Sequence, residues 1–232
     1  MTADLGGWQP APLHLQPAPE QLYLWRFRTD DPAPRQGAPA DCLNAAERQR
    51  AARLRDPAKG RAFCHARAAL RLVLAACLDC TASAVALEYG AQGKPRCAAS
   101  HRSEVQFNLS HSGCWGVIAL RVGAAVGIDL EQVDAPRNIP QLVDFAFTAE
   151  EKLQWQALPP ARRRRGFYRL WTAREARLKC AGVGLTTPTL PPAPALLRWS
   201  PLSRHYLAAV ASAAPVAALS RFHLDLAALG GP

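Results

Sequence analysis

Two apolar runs separated by three small residues constrain this chain more than any other feature in it. Trp115 to Val122 and Val126 to Glu131 each read as a strand, with Gly123-Ala124-Ala125 between them. Short apolar runs joined by a glycine-led turn predict a β-hairpin. A chain with a hairpin at its centre must build a sheet there and bury at least one face of it. Side chains alternate along a strand, so Ile128 and Leu130 take one face while Asp129 and Glu131 take the other. Two carboxylates this close on one face repel unless a cation lies between them. Mg²⁺ suits such a pair, because it binds through one or two carboxylates plus substrate phosphates. The alternative is a solvent-facing acidic edge strand.

The rest of the chain can support such a sheet. Its 232 residues are enough for one large domain or two small ones, and 49% of them are hydrophobic. The net charge of +10 points to an anionic partner: nucleic acid, a phosphorylated ligand or an acidic protein. Twenty-four arginines stand against four lysines (Lys59, Lys94, Lys152 and Lys179), so a single arginine means little and each lysine means more. Of seven scattered cysteines, only Cys77 and Cys80 form C-x-x-C, inside an apolar helical run without a second pair. Buried free thiols in a reducing compartment are expected rather than a zinc site. Met1 to Gln21 lacks the charged start and apolar run of a signal peptide, and no stretch approaches the ~18 apolar residues of a membrane span. A cytoplasmic protein with no membrane partner is expected.

Along the chain, residues 1–20 are rich in Pro, Gly and Ala and read as surface coil. Leu22 to Arg28 alternates as a first strand, and a Pro/Ala/Gly loop runs to about Asp41. Two helices are predicted from Asn44 to Leu78, broken near Asp56-Pro57, the second strongly amphipathic with Arg61, Arg67 and Arg71 on its polar face. Val85 to Tyr89 predicts a short strand, and Val105 to Ser112 a strand running into a polar turn. Ile139 to Ala157 predicts one or two helices, with a capping box at Thr148 and Glu151. Phe167 to Ala181 predicts a helix stopped by Gly182. Residues 186–196 read as a Pro-rich loop, with strands around Leu197, Leu207–Val210 and Phe222–Leu226. Ala66 to Arg71 faintly echoes Ala173 to Leu178, a hint of duplication in which Glu175 replaces Ala68.

On the predicted helix, Glu175 and Lys179 lie four residues apart and share a face, one turn beyond Trp171. Taken alone these residues read as a surface ion pair, a capping box from Thr172 and a core tryptophan. Four segments in order change that reading: Gly93-Lys94-Pro95, Phe107-Asn108-Leu109-Ser110-His111, Gly127-Ile128-Asp129-Leu130-Glu131, and Trp171 through Lys179. In this order and spacing the chain resembles the 4′-phosphopantetheinyl transferases of the surfactin-synthetase-activating type, over about residues 47–185. One departure is Arg174, where that family usually carries Lys.

The resemblance implies an α+β fold of two similar α/β halves related by a pseudo-twofold axis, with a ligand cleft between them. The halves would be residues 1–114 and residues 115–232, the second carrying the metal site. It implies an enzyme that moves the phosphopantetheine arm of coenzyme A onto a serine of an apo acyl, polyketide or peptidyl carrier protein, releasing adenosine 3′,5′-bisphosphate. Asp129, Glu131 and Glu175 would hold Mg²⁺. Glu175 is a candidate base for the serine proton, with Glu151 its rival, and Lys179 would meet the diphosphate. Arg50, Lys94, Pro95, Ser110 and His111 would surround the 3′-phosphate and adenine end of coenzyme A. The run Arg162–Arg165 would steer an acidic carrier, and a monomer is expected. The competing class is a nucleic-acid-binding protein, but the sequence shows no helix-turn-helix, zinc-finger or aromatic RNA-binding pattern. A relative that binds coenzyme A without catalysis is the other rival.

Overall fold

The computed structural model describes residues 7–31, 40–134, 136–184 and 190–227. Their elements run β1 (Gln9–Pro10), β2 (Gln21–Arg28), α1 (Ala45–Ala52), α2 (Pro57–Leu78), β3 (Leu87–Tyr89), β4 (Pro95–Cys97), β5 (Val105–Ser112), β6 (Trp115–Val122), β7 (Val126–Gln132), α3 (Ile139–Ala146), α4 (Ala149–Gln156), α5 (Pro160–Ala181), β8 (Leu196–Ser203), β9 (Tyr206–Ser212) and β10 (Ala218–Leu224). The fold is α+β. Three sheets form: β1-β10-β2-β6-β5, a ribbon of β3 and β4, and β7-β9-β8. Parallel pairing joins β10 to both β1 and β2, and the other pairs are antiparallel.

The predicted central hairpin does not form. Both edges of β6 are taken, by β2 (Trp25 opposite Ile118) and by β5 (Leu109 opposite Ile118), so no edge remains for β7. The chain instead crosses at residues 123–125 to a different sheet, where Asp129 of β7 faces Ala209 of β9. The tight turn lies earlier, between β5 and β6, where Gly113 has a φ of +55° that disfavours a side chain. Residues 108–112, expected to lead into a polar turn, are therefore strand.

Alternation sorts the side chains into layers. Tyr23, Trp25 and Phe27 on β2 and Ile118 on β6 pack against Leu70 and Leu74 of α2. The opposite faces, Leu22, Leu24 and Val117, meet Ile128 and Leu130 of β7 and Val210 of β9. The far face of the three-stranded sheet, through Ala209 and Ala211, meets Ala176 and Cys180 of α5. The order of layers is thus α2, five-stranded sheet, three-stranded sheet, α5. Asp129 and Glu131 necessarily point toward α5.

Both 22-residue helices begin with Pro at their first turn. Helix α5 starts at Pro160, two turns before the predicted Phe167, and takes in Arg162–Arg165. Asp79, in left-handed geometry, ends α2, so Cys80 lies just outside the helix. The faint internal echo has a structural counterpart. Glu47, in the capping box of α1, pairs with Arg67 and Arg71 of α2, while Glu151, in the capping box of α4, pairs with Arg174 of α5. The N-terminal segment is not all coil: Trp8 is buried between the sheets and β1 pairs with β10. Residues 1–6, 32–39 and 185–189, within predicted coil, lie outside the described residues. All seven cysteines are free, Cys180 buried and the others half-buried. Among the described residues, no helix is long and apolar enough to cross a membrane.

Candidate active site

Strand β7 is the outer strand of its sheet, and its free edge faces β5 rather than water. Three side chains of β5, two residues apart, complete its hydrogen bonding. Asn108 Oδ1 accepts from Ile128 N at 2.8 Å, Ser110 Oγ from Leu130 N at 3.2 Å and Ser112 Oγ from Gln132 N at 3.1 Å. Period-two side chains thus replace a strand ladder. The two serines also reach the carboxylates. Ser110 Oγ donates to Asp129 Oδ1 (3.0 Å) and Ser112 Oγ to Glu131 Oε2 (3.1 Å).

Helix α5 lies hard against the other side of β7. A side chain at Gly127 would put its Cβ 2.1 Å from Ala176 O and 2.3 Å from Cys180 N, so only glycine permits this approach. The approach brings Lys179 Nζ to 2.6 Å from Asp129 Oδ1 and 3.3 Å from Ser110 Oγ. Glu175, one turn earlier on the same face, is only 9% exposed, so the pair is no surface ion pair. Glu131 Oε2 takes Arg137 Nη2 at 2.7 Å. Trp171 is core, and Thr172 lies inside the helix, donating to Tyr168 O, so it caps nothing.

The Asp129 charge in this buried space raises the proton affinity of the two glutamates beside it. Burial first, then the charge of Asp129, pushes Glu175 up to about 7, against the opposing pull of Lys179. The same two causes raise Glu131, opposed by Arg137 and Ser112. Asp129 Oδ2 and Glu175 Oε1 are buried without any hydrogen-bond partner, an expensive state for carboxylate oxygens. Among the described residues no group of three or more His, Cys, Asp or Glu side chains could hold a metal ion as it stands. The donors still suit one: hard carboxylate oxygens, two of them unpartnered, fit an oxygen-seeking divalent cation.

The other expected residues divide. Ser110 and His111 lie beside this cluster. His111 is pushed below its usual pKa, first by desolvation and then by the Lys179 charge. Lys94 is tied rather than free: its Nζ donates to Val126 O (2.9 Å) and Lys179 O (2.6 Å), joining the start of β7 to the end of α5. Burial lowers its pKa. With Pro95 it lines a cavity of about 230 Å³ that includes Gly90, Gln106, Phe107 and Ala181. Arg50 is exposed on α1, with its guanidinium 5.2 Å over the Phe63 ring and no contact to the carboxylates. Glu151 Oε2 accepts from Thr148 N and Arg174 Nη1, while Glu175 is the glutamate of α5 beside Asp129. Sequence reasoning missed Asn108 as a strand partner, Gly127 as a contact point, and Ser112 and Arg137 as neighbours of Glu131. The Asn108-x-Ser110-x-Ser112 alternation was the available signal for two of the four.

Comparison with known proteins identifies the relatives of this chain. The model of the 4′-phosphopantetheinyl transferase superfamily matches residues 125–211, and that of the 4′-phosphopantetheinyl transferase N-terminal region matches residues 32–122. They meet where the chain changes sheets. A Synechocystis protein provisionally named a 4′-phosphopantetheinyl transferase is 35% identical over 167 residues, 72% of this chain and 67% of that one. The 4′-phosphopantetheinyl transferase HetI of a Nostoc species is 32% identical over 179 residues, 77% and 76% of the two chains. The 4′-phosphopantetheinyl transferase of Bacillus subtilis is 34% identical over 142 residues, 56% of this chain and 60% of its own. The chain belongs to the 4′-phosphopantetheinyl transferase superfamily.

Proposed function

We propose that this protein transfers the 4′-phosphopantetheine group of coenzyme A to a serine of an apo acyl, polyketide or peptidyl carrier protein, releasing adenosine 3′,5′-bisphosphate. One observation carries the reading. Asp129, Glu131, Glu175 and Lys179 converge from β7 and α5 in a buried space, with two carboxylate oxygens left without partners. In the reaction, the carrier serine Oγ bonds to the phosphorus bearing the pantetheine arm. The bond from that phosphorus to the bridging oxygen breaks, and adenosine 3′,5′-bisphosphate leaves with the bridging oxygen. The serine proton passes to Glu175, the carboxylate that burial and the Asp129 charge raise above its usual pKa in the metal-free protein. Lys179 places a fixed ammonium beside the diphosphate, where negative charge grows on the leaving group. Mg²⁺, held by Asp129, Glu131 and Glu175, would neutralise diphosphate charge.

Ser110 and His111 lie near enough to Lys179 to border the same ligand, and the cavity lined by Lys94 and Pro95 is a second opening beside the end of α5. Arg50 reaches coenzyme A in this reading only through its exposed guanidinium. The reading includes two α/β halves about a pseudo-twofold axis, favoured by the repeated capping-box-to-arginine pairs, and a monomer working in the cytoplasm. The test is the intact mass of apo carrier proteins incubated with the protein, coenzyme A and Mg²⁺, beside a Glu175→Gln control. Addition of one phosphopantetheine, absent from the control, is expected. No mass gain on any carrier would overturn the reading.

A further inference from the structure

We infer that Ser112 and Arg137 form a clamp that positions Glu131 for the divalent cation, as Ser110 and Lys179 position Asp129. The inference rests on the transferase reading and adds two positioning residues to it. The two carboxylates of β7 are held by matching means. Asp129 Oδ1 receives one serine hydroxyl of β5 and one ammonium, at 3.0 and 2.6 Å, and its Oδ2 stays buried and unpartnered. Glu131 Oε2 receives the next serine hydroxyl of the same face of β5 and one guanidinium, at 3.1 and 2.7 Å. In each case the serine oxygen also accepts a β7 backbone N–H, so the carboxylate is registered to the strand that carries it.

Arg137 is exposed and reaches the buried Glu131 from the surface. Its guanidinium stands 6.0 Å from the ring centroid of Tyr168, a fully buried residue of α5, and Glu131 is 7% exposed. The pair therefore joins an exposed guanidinium to a buried carboxylate, and its worth lies in the direction it gives Glu131 rather than in its strength as an ion pair. Three carboxylates that share a small space repel, and a side chain as long as glutamate can turn away from its neighbours. Engaging one oxygen of Glu131 with two donors removes that freedom and leaves the other oxygen available. Groups that orient metal ligands in this way typically contribute 10- to 100-fold in metal affinity.

The test is direct titration of the full-length protein with Mn²⁺ in the presence of coenzyme A, by calorimetry. The variants are Arg137→Gln, Arg137→Lys, Ser112→Ala and Ser112→Thr, with melting temperatures recorded beside them. Arg137→Gln and Ser112→Ala are expected to weaken Mn²⁺ binding about 10-fold or more. The KM for coenzyme A at saturating metal should stay unchanged. Lys at 137 and Thr at 112, which keep the charge and the hydroxyl, should restore most of the affinity and show that the loss is not unfolding. Unchanged Mn²⁺ affinity in folded Arg137→Gln and Ser112→Ala would overturn the clamp. Tighter binding would also overturn it, making Arg137 a competitor of the metal. A parent protein that neither binds Mn²⁺ nor modifies any carrier would instead sink the transferase reading, and the clamp with it.

Discussion

Glu175 keeps its proton to an unusually high pH because burial and the neighbouring Asp129 charge both penalise the carboxylate. Its pKa rises in the folded chain from 4.5 to about 7, so the unfolded chain releases this proton first as pH rises. The metal-free protein therefore loses stability between pH 4.5 and about 7, and none through this group below that window. Glu175→Gln should flatten that part of the stability profile in chelator and raise stability at pH 8 by up to about 3 kcal/mol, read from urea unfolding. The same variant should lower transfer by roughly 10²- to 10⁴-fold while coenzyme A still binds. The residues of this centre were largely legible in the sequence. Strand alternation placed Asp129 and Glu131 on one face, and four-residue spacing did the same for Glu175 and Lys179. The partners of Lys94 were not legible, because they are backbone carbonyls contributed by two distant elements.

Helix α5 carries both Glu175 and Lys179, so its distance from β7 sets the geometry of the centre. Gly127 sets that distance. Gly127→Ala must move backbone rather than a flexible side-chain tip, since the obstructing atoms are Ala176 O and Cys180 N. A destabilisation of about 1–3 kcal/mol is expected in urea. At a temperature where the variant stays folded, transfer should fall further than the folded fraction does. If activity follows the folded fraction alone, the spacing of α5 is not what Gly127 protects. Elements were readable from local pattern, but their pairings were not. A glycine turn between two apolar runs reads as a hairpin whenever the edges of the first strand are free. Here β2 and β5 had already taken them.

Across the whole molecule, buried ion pairs tie each long helix to the short helix before it. Glu47 is 4% exposed and holds Arg67 and Arg71, so Glu47→Ala would leave two buried guanidinium groups without their carboxylate. A loss of about 3–5 kcal/mol is expected from denaturant midpoints, nearly independent of added salt because the pairs are buried. The exposed charge acts differently. Arg163, Arg164 and Arg165 each donate to a backbone carbonyl, of Leu158, Val133 and Arg204, yet remain at the surface. Neutralising Arg162–Arg165 should raise the KM for the carrier, more so at low salt, and leave that for coenzyme A unchanged. Equal carrier KM values would reduce the run to a solvated face. By itself the sequence determined what depends on near neighbours: strand and helix periods, the Thr148–Glu151 capping box, the spacing of the acidic residues and the motif order that pointed to the family. Tertiary structure alone decided which sheet receives β7, how close α5 comes, and which serine and which cation grip each carboxylate. Those outcomes depend on groups that the fold brings together across the chain, Ser110 and Asp129 from 19 residues apart and Lys179 and Asp129 from 50, and no local pattern records them.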